Sequence, residues 1–142
     1  MTTMTAQTTQ LYSIFIKATP EQVWDAITKP EFTQRYFYGV PVHATPDAYD
    51  GGGAVAGAIV EFEPAQKLVH TWRTLYDADM SAEDESRVTW EIEAQDGGYT
   101  KLTVVHDRLE GAPKTAESVA GGWSFVLSGL KTLLETGEPL AG

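Results

Sequence analysis

Two histidines are the residues whose type and spacing best suit acid–base chemistry. His70 lies between Leu68 and Trp72 at alternating positions, and His106 follows Val104 in the same way. Because alternate side chains of a strand share a face, both histidines are expected to point inward. An inward histidine can orient a ligand or act as a general base near neutral pH. The alternative is a hydrogen-bonded structural histidine, which we favour because the sequence places no second catalytic group beside either one.

Large aromatic side chains form the richest pattern in the chain. The four tryptophans are expected to face the interior: Trp24, Trp72, Trp90 and Trp123. Further aromatic residues are expected beside them: Tyr12, Phe37, Phe62 and Phe125. Residues of this kind either fill an ordinary core or line an apolar pocket.

Other chemistry finds no support in the sequence. The chain has no cysteine, which excludes disulfides and thiolate nucleophiles. It also lacks a G-x-S-x-G, phosphate-loop or dinucleotide motif. The three histidines are not at metal-ligand spacing, and an acidic segment over residues 77–85 does not match a calcium loop, so we expect it to be solvated. The sequence therefore predicts neither a cofactor nor a metal.

The composition is that of a globular protein with a strong acidic balance. Its 142 residues are 42% hydrophobic and 21% charged, with a formal net charge of −10. Acidic balance of this size opposes binding to nucleic acid and to anionic membranes. Residues 1–10 are polar and resemble neither a secretion signal nor a membrane span, so we expect a disordered tail and a cytoplasmic location.

The elements that must position these side chains follow from hydrophobic periodicity and turn signals. A strand is predicted over residues 11–17. Two short helices come next, opened by the capping-box patterns Thr19-Pro20-Glu21-Gln22 and Thr28-Lys29-Pro30-Glu31, and Gly39 is expected to end the second. Further strands are predicted over residues 54–63, 67–75, 87–94 and 99–108, with a weak segment over 40–49.

A long helix is predicted over residues 114–136, where apolar residues recur at helical spacing. Gly121-Gly122 is expected to loosen or kink it, and Gly137 to end it. Strands that follow one another without intervening helices form hairpins, so the sheet is expected to be antiparallel. The prediction is one α+β domain over residues 11–142, with a curved antiparallel sheet of about six strands packed against the C-terminal helix.

Several segments resemble the SRPBCC superfamily, which has the START-like or birch-pollen-allergen-like helix-grip fold. Within it, the chain resembles the branch named for activators of the heat-shock protein ninety ATPase. The resemblance rests on packing motifs that span nearly the whole chain: IKATPEQVW (16–24), LVHTW (68–72), VTWEI (88–92), KLTVVH (101–106) and GGW (121–123) with the helix that follows. It implies that the C-terminal helix crosses the concave face of the sheet.

The resemblance also implies a cavity between sheet and helix that binds a small hydrophobic or amphipathic ligand. The residues expected to contact this ligand are Tyr12, Trp24, Phe37, Phe62, His70, Trp72, Trp90, His106, Trp123 and Leu127. Residues 36–38 are expected either at the cavity entrance or as a hydrophobic plug. Residues 40–67 form a shorter stretch than is usual for the family and are rich in Gly and Ala, so a missing or merged strand and a more open pocket are expected.

Two other functions stay open at this stage. The first is an enzyme of the polyketide-cyclase or dehydratase kind, in which His70 or His106 moves protons. The second is a co-chaperone or another protein-interaction module, which the family resemblance implies. An exposed edge strand near Val40 leaves pairing with a second copy of the chain as a further alternative.

Overall fold

The computed structural model describes residues 8–140 and begins with strand β1 (Gln10–Ile16). Helix α1 (Pro20–Thr28) starts with the predicted capping box. The Thr19 hydroxyl accepts from the Gln22 backbone N–H over 3.1 Å, and the Gln22 side chain accepts from the Thr19 N–H over 2.8 Å. The predicted tail over residues 1–10 lies largely outside the described residues, and its last residue belongs to β1.

The second helix is shorter than predicted. Helix α2 covers only Pro30–Thr33, and its N-cap is Lys29 without a side-chain hydrogen bond. The predicted capping box at Thr28 is wrong, because the Thr28 hydroxyl donates to the Trp24 carbonyl oxygen inside α1. Past α2 the chain continues in turns to Tyr38, whose φ of 52° is in the left-handed region. This turn places Tyr38 beside the C-terminal helix.

Residues 40–67 contribute four short strands. They are β2 (His43–Ala44), β3 (Tyr49–Asp50), β4 (Val55–Gly57) and β5 (Ile59–Glu63). The single strand predicted over 54–63 is divided into β4 and β5, and at Gly57 the chain passes so close to the Thr71 carbonyl oxygen that a Cβ has no room there. The expected loss of a strand is therefore wrong, and the described sheet has eight strands where about six were predicted.

Three long strands form the centre of the sheet: β6 (Lys67–Thr74), β7 (Ser86–Gln95) and β8 (Tyr99–Asp107). All pairings are antiparallel, as predicted, in the order β1-β8-β7-β6-β4-β3-β2, with β5 also beside β6. An ion pair joins β7 to β8 on the outer face, where Arg87 Nε lies 2.9 Å from Asp107 Oδ1. Strand alternation turns the apolar residues, together with His70 and His106, to the opposite, buried face.

Helix α4 (Pro113–Thr136) covers that buried face with the predicted apolar stripe, which includes Trp123, Leu127 and Leu130. Helix α4 is a single element that runs through Gly121 and Gly122. Gly137 ends α4 with a φ of 80°, as predicted. The architecture is the expected α+β helix grip. No helix among residues 8–140 is both long and apolar enough to cross a bilayer.

The acidic segment between β6 and β7 has a structural role that the sequence analysis missed. It contains the short helix α3 (Ala78–Ser81) and brings Glu83 to the first turn of α4. The Glu83 carboxylate accepts from the backbone N–H groups of Lys114 and Thr115 over 2.8 and 2.9 Å, and from the Thr115 hydroxyl over 2.7 Å. Partial burial alone would raise the pKa of Glu83, but these hydrogen bonds lower it below its usual value.

We expect Glu83→Ala to lower the free energy of unfolding by about 1 to 2 kcal/mol, the usual cost of removing a helix N-cap. The first N–H groups of α4 have no intrahelical partner, and Glu83 supplies one from outside the helix. Urea unfolding at neutral pH measures the effect. Glu110→Ala is the matched control, because Glu110 is exposed and makes no hydrogen bond or ion pair in the described part of the chain. An equal loss in both variants would contradict the capping role.

Candidate functional site

His70 is fully buried, and both of its ring nitrogens are hydrogen-bonded. Its Nδ1 lies 2.9 Å from the Thr71 carbonyl oxygen, and the Trp90 indole N–H donates to its Nε2 over 3.0 Å. A carbonyl oxygen only accepts and an indole N–H only donates, so the proton of the neutral ring is on Nδ1. Tyr49 stacks on the imidazole with ring centroids 3.6 Å apart. Burial lowers the pKa of His70 to about 3.

His106 has an equivalent arrangement in the opposite tautomer. The Trp123 indole N–H donates to Nδ1 over 3.0 Å, so the ring proton is on Nε2, which donates to the Ser86 hydroxyl oxygen over 2.7 Å. Burial lowers the pKa of His106 to about 4, although the nearby Asp107 carboxylate partly offsets this effect. Each buried histidine therefore accepts a hydrogen bond from one buried tryptophan.

These contacts engage both ring nitrogens of His70 and both ring nitrogens of His106. Both rings are neutral at physiological pH, and neither presents an unbonded nitrogen to a ligand. The hydrogen-bonded interpretation favoured from the sequence is the one that the geometry supports. Among residues 8–140, no group of three or more His, Asp or Glu side chains is arranged to hold a metal ion.

The space between sheet and helix is largely filled by aromatic rings. Trp123 lies at the centre, with ring centroids 5.3 Å from Trp90, 5.8 Å from Trp72 and 5.9 Å from Phe37. All four side chains are less than 10% exposed. Edge-on contacts of this kind are typical of well-packed aromatic cores. The interior is therefore a core over most of its length.

An apolar cleft of about 690 Å³ opens at one side of this aromatic core. Its walls come from α4, the turn after α2, the start of β4 and the end of β6. The residues that line it are Phe37, Tyr38, Val40, Ala54, Val55, Trp72, Tyr76, Ser118, Val119, Gly121, Gly122, Trp123 and Val126. Small residues create the space, since an added Cβ on Gly121 would meet no atom within 4 Å.

The rim of the cleft is exposed and aromatic. Tyr38 is 62% exposed and stacks on Phe125 with ring centroids 5.3 Å apart, and Tyr76 is 68% exposed. Phe125 was expected in the interior and is instead 40% exposed, because its helical position faces the rim. The described lining contains no carboxylate, ammonium, guanidinium or imidazole group. Its side-chain polar groups are hydroxyls and indole N–H groups, so the cleft suits the apolar part of a ligand.

Three of the predicted ligand contacts line this cleft: Phe37, Trp72 and Trp123. The others lie elsewhere: Tyr12, Trp24, Phe62, His70, Trp90, His106 and Leu127. Tyr12 donates to the Ala120 carbonyl oxygen over 3.0 Å, and Trp24 packs edge-on against Phe62 with centroids 5.0 Å apart. The remaining four are buried in the core. Of residues 36–38, which were expected at an entrance or as a hydrophobic plug, Phe37 and Tyr38 line the cleft and Tyr36 is buried.

The residues that make the cleft a cavity are not predicted from the sequence. Gly121 and Gly122 were interpreted as helix-weakening residues, and Tyr76 was not singled out. One available signal for a cavity was the pair Gly121-Gly122, which lies about one turn before Val126 on a helix with an apolar stripe. Residues without a side chain on a helix that packs on the core leave space beside it. Tyr76 offered no such signal, because only the tertiary fold brings the end of β6 beside α4.

Comparisons with solved structures agree with this fold. CalU16 from Micromonospora echinospora has 20% sequence identity and a TM-score of 0.73, with 94% of this chain and 77% of that chain covered. An HSP90 activator from Plasmodium falciparum has 19% identity and a TM-score of 0.75, with 91% and 97% covered. The Aha1 dimer from Colwellia psychrerythraea has 15% identity and a TM-score of 0.71, with 92% and 98% covered. At these identities the likeness establishes the fold alone.

The amino-acid sequence was also compared with curated proteins and with models of protein families. A search of curated proteins finds no match. The model of the Activator of Hsp90 ATPase homolog 1-like protein family matches residues 17–135, which include α1 to α3, α4 except its last residue and all strands except β1. The match confirms the resemblance seen in the packing motifs, and the chain belongs to the Activator of Hsp90 ATPase homolog 1-like family.

Proposed function

We propose that the protein binds a small hydrophobic or amphipathic molecule whose apolar part lies in the cleft between α4 and β4. The observation that carries this proposal is the apolar space of about 690 Å³ beside Trp72 and Trp123. Ligand sites are concave and mostly apolar, with a few polar groups that fix orientation. Here the hydroxyls of Tyr38, Tyr76 and Ser118 supply such groups.

The enzyme alternative depends on His70 or His106 as the acid–base group, and the geometry does not favour either residue in that role. A polyketide-cyclase-like mechanism needs an inward histidine with a free nitrogen near the substrate. His70 and His106 do not line the cleft, and their ring nitrogens bond to other groups. Proton transfer through either histidine would first have to break a buried hydrogen bond to an indole N–H. The geometry therefore favours binding over acid–base catalysis by these residues.

We expect Gly121→Phe to abolish binding of pyrenemethanol, an uncharged planar probe. Gly121 lines the cleft with open space in front of it, so a phenyl ring is accommodated there and occupies the volume that the probe needs. Thermal shift measures the effect: a ligand bound only to the folded protein at a hundredfold excess over its Kd adds about 2.7 kcal/mol of stability.

Ser124→Phe is the matched control for added apolar surface on the same helix. Ser124 is exposed and does not line the cleft, so this variant is expected to keep the wild-type thermal shift. The proposal is contradicted if Gly121→Phe binds as well as the wild type. It is also contradicted if pyrenemethanol, long-chain alcohols and polyketide-like phenols all leave the wild-type melting temperature unchanged.

A co-chaperone role is the second candidate, and family membership supports it. The exposed aromatic rim of Tyr38, Tyr76 and Phe125 is a surface of the kind that marks protein-interaction sites. The test is the ATPase rate of purified Hsp90 with and without this protein. Stimulation that Tyr76→Ser reduces is the expected result. The absence of both binding and stimulation would exclude the role.

A further inference from the structure

A second, polar recess of about 370 Å³ adjoins the apolar cleft. The recess is lined by Asp77, Asp79, Met80, Lys114, Glu117 and Ser118. Ser118 lines both spaces, and Tyr76 of the cleft directly precedes Asp77 of the recess. On α4, Glu117 lies one helical turn, about 5 to 6 Å, before Gly121. The charges of the recess that lie on α4 are therefore next to the α4 wall of the cleft.

The charge of the recess is negative. Three carboxylates line it against a single ammonium, that of Lys114. Lys114 Nζ lies 2.6 Å from Asp79 Oδ2, so this cation is already paired. The Asp77 carboxylate accepts from two backbone N–H groups of α3 and forms no close ion pair with the described residues, although its charge adds to that of Asp79 in raising the pKa of Lys114. Glu117 is exposed, and its carboxylate forms no hydrogen bond or ion pair with the described residues.

The positive end of α4 does not reverse this preference. Helix N-termini attract anions through their unpaired N–H groups. At α4, the Glu83 carboxylate already occupies the N–H groups of Lys114 and Thr115. The cleft itself contributes no cation, and the whole chain has a formal net charge of −10. An anionic head group would therefore meet repulsion, whereas a cationic one would meet uncompensated carboxylates.

We propose that the ligand of the cleft is an amphipathic organic cation, with its apolar body against Trp72 and Trp123 and its positive head group beside Asp77 and Glu117. This inference rests on the proposed function and assigns the chemical class of the ligand. The charge complementarity of the two adjoining spaces selects a cation over a carboxylate of the same shape. Exposed tyrosines at the rim add a second attraction, because cations bind the faces of aromatic rings.

Three probes that share the pyrene ring system and differ in the charge of the head group test the inference: pyrenemethylamine, pyrenemethanol and pyrenecarboxylate. Energy transfer from tryptophan to the bound pyrene gives the Kd of each at low ionic strength. The amine is expected to bind at least about tenfold more tightly than the carboxylate, with the alcohol between them, and added salt is expected to reduce this ratio. Equal affinity of amine and carboxylate would overturn the inference and leave the proposed function intact. Binding by none of the three would overturn both.

A pair of isosteric variants separates local charge from the overall charge of the protein. Glu117→Gln is expected to weaken pyrenemethylamine binding about twofold to fivefold, which is the range for an exposed ion pair, and to leave pyrenemethanol binding unchanged. Glu110→Gln alters the net charge equally but lies outside the recess, so amine binding should be unchanged. Equal weakening by both variants would show a general charge effect and contradict a head-group site beside Glu117.

Discussion

Acidification below pH 6.5 is expected to destabilise the fold through His70 and His106, well before the carboxylates titrate. In the unfolded chain both imidazoles have a pKa near 6.5, whereas burial lowers these values to about 3 for His70 and about 4 for His106 in the folded state. The neutral rings therefore contribute stability that is fully present above pH 6.5. That stability is lost as the pH falls, because only the unfolded chain takes up the two protons.

The expected size of this effect is large. Near pH 5 the unfolded state holds close to two more protons than the folded state, so the free energy of unfolding falls by about 2.7 kcal/mol per pH unit. Between pH 7 and pH 4 the two histidines together lower the free energy of unfolding by about 6 kcal/mol, which is comparable with the whole stability of many domains. Urea unfolding at a series of pH values measures the slope directly.

Two variants assign the slope to individual histidines. His106→Gln keeps a group that can accept from Trp123 and donate to Ser86, and it is expected to reduce the slope by about half. His43→Gln is the control for replacing a histidine outside the core, because His43 is exposed on β2. A wild-type slope below about 1 kcal/mol per pH unit between pH 6 and 5 would contradict the burial of two neutral histidines.

Trp90→Phe is expected to be among the most destabilising aromatic substitutions, with a loss of about 3 kcal/mol or more at neutral pH. Trp90 is 1% exposed, and its indole N–H is the donor to His70 Nε2. Phenylalanine leaves a cavity where the larger ring was and leaves a buried nitrogen without a partner. Each of these effects costs about 1 to 3 kcal/mol.

Trp24→Phe isolates the contribution of the hydrogen bond. Trp24 is 8% exposed, and its indole N–H makes no hydrogen bond to the described residues. This substitution removes similar volume without leaving a buried acceptor unpaired, so a smaller loss of about 1 to 2 kcal/mol is expected. Chemical denaturation of both variants at neutral pH gives the comparison. Equal losses would mean that the Trp90–His70 bond contributes nothing to stability.

The sequence predicted the fold well because the fold depends on local patterns. Alternation in the segments around His70 and His106 predicted their inward direction, and helical periodicity predicted α4. The capping box at Thr19 formed as predicted. The one at Thr28 did not, because its hydroxyl had a competing carbonyl acceptor one turn earlier in α1. A capping pattern alone does not reveal such competition.

The candidate site was harder to predict, because it depends on contacts between distant segments. The partnership of each histidine with a tryptophan requires the register of the sheet and the placement of α4 upon it. The cleft forms where Tyr76, Ala54 and Gly121 meet, and no local pattern connects these residues. Sequence reasoning therefore identified the aromatic interior but not the side on which it opens.

The indole N–H signals of the four tryptophans provide the most direct test of where a ligand binds. Trp72 and Trp123 line the cleft, whereas Trp24 and Trp90 do not. In a two-dimensional proton–nitrogen NMR titration with pyrenemethylamine, the Trp72 and Trp123 indole signals are expected to shift saturably. The Trp24 and Trp90 signals should move little. The largest shifts at Trp24 or Trp90 would place the ligand elsewhere and contradict the assignment of the cleft as the binding site.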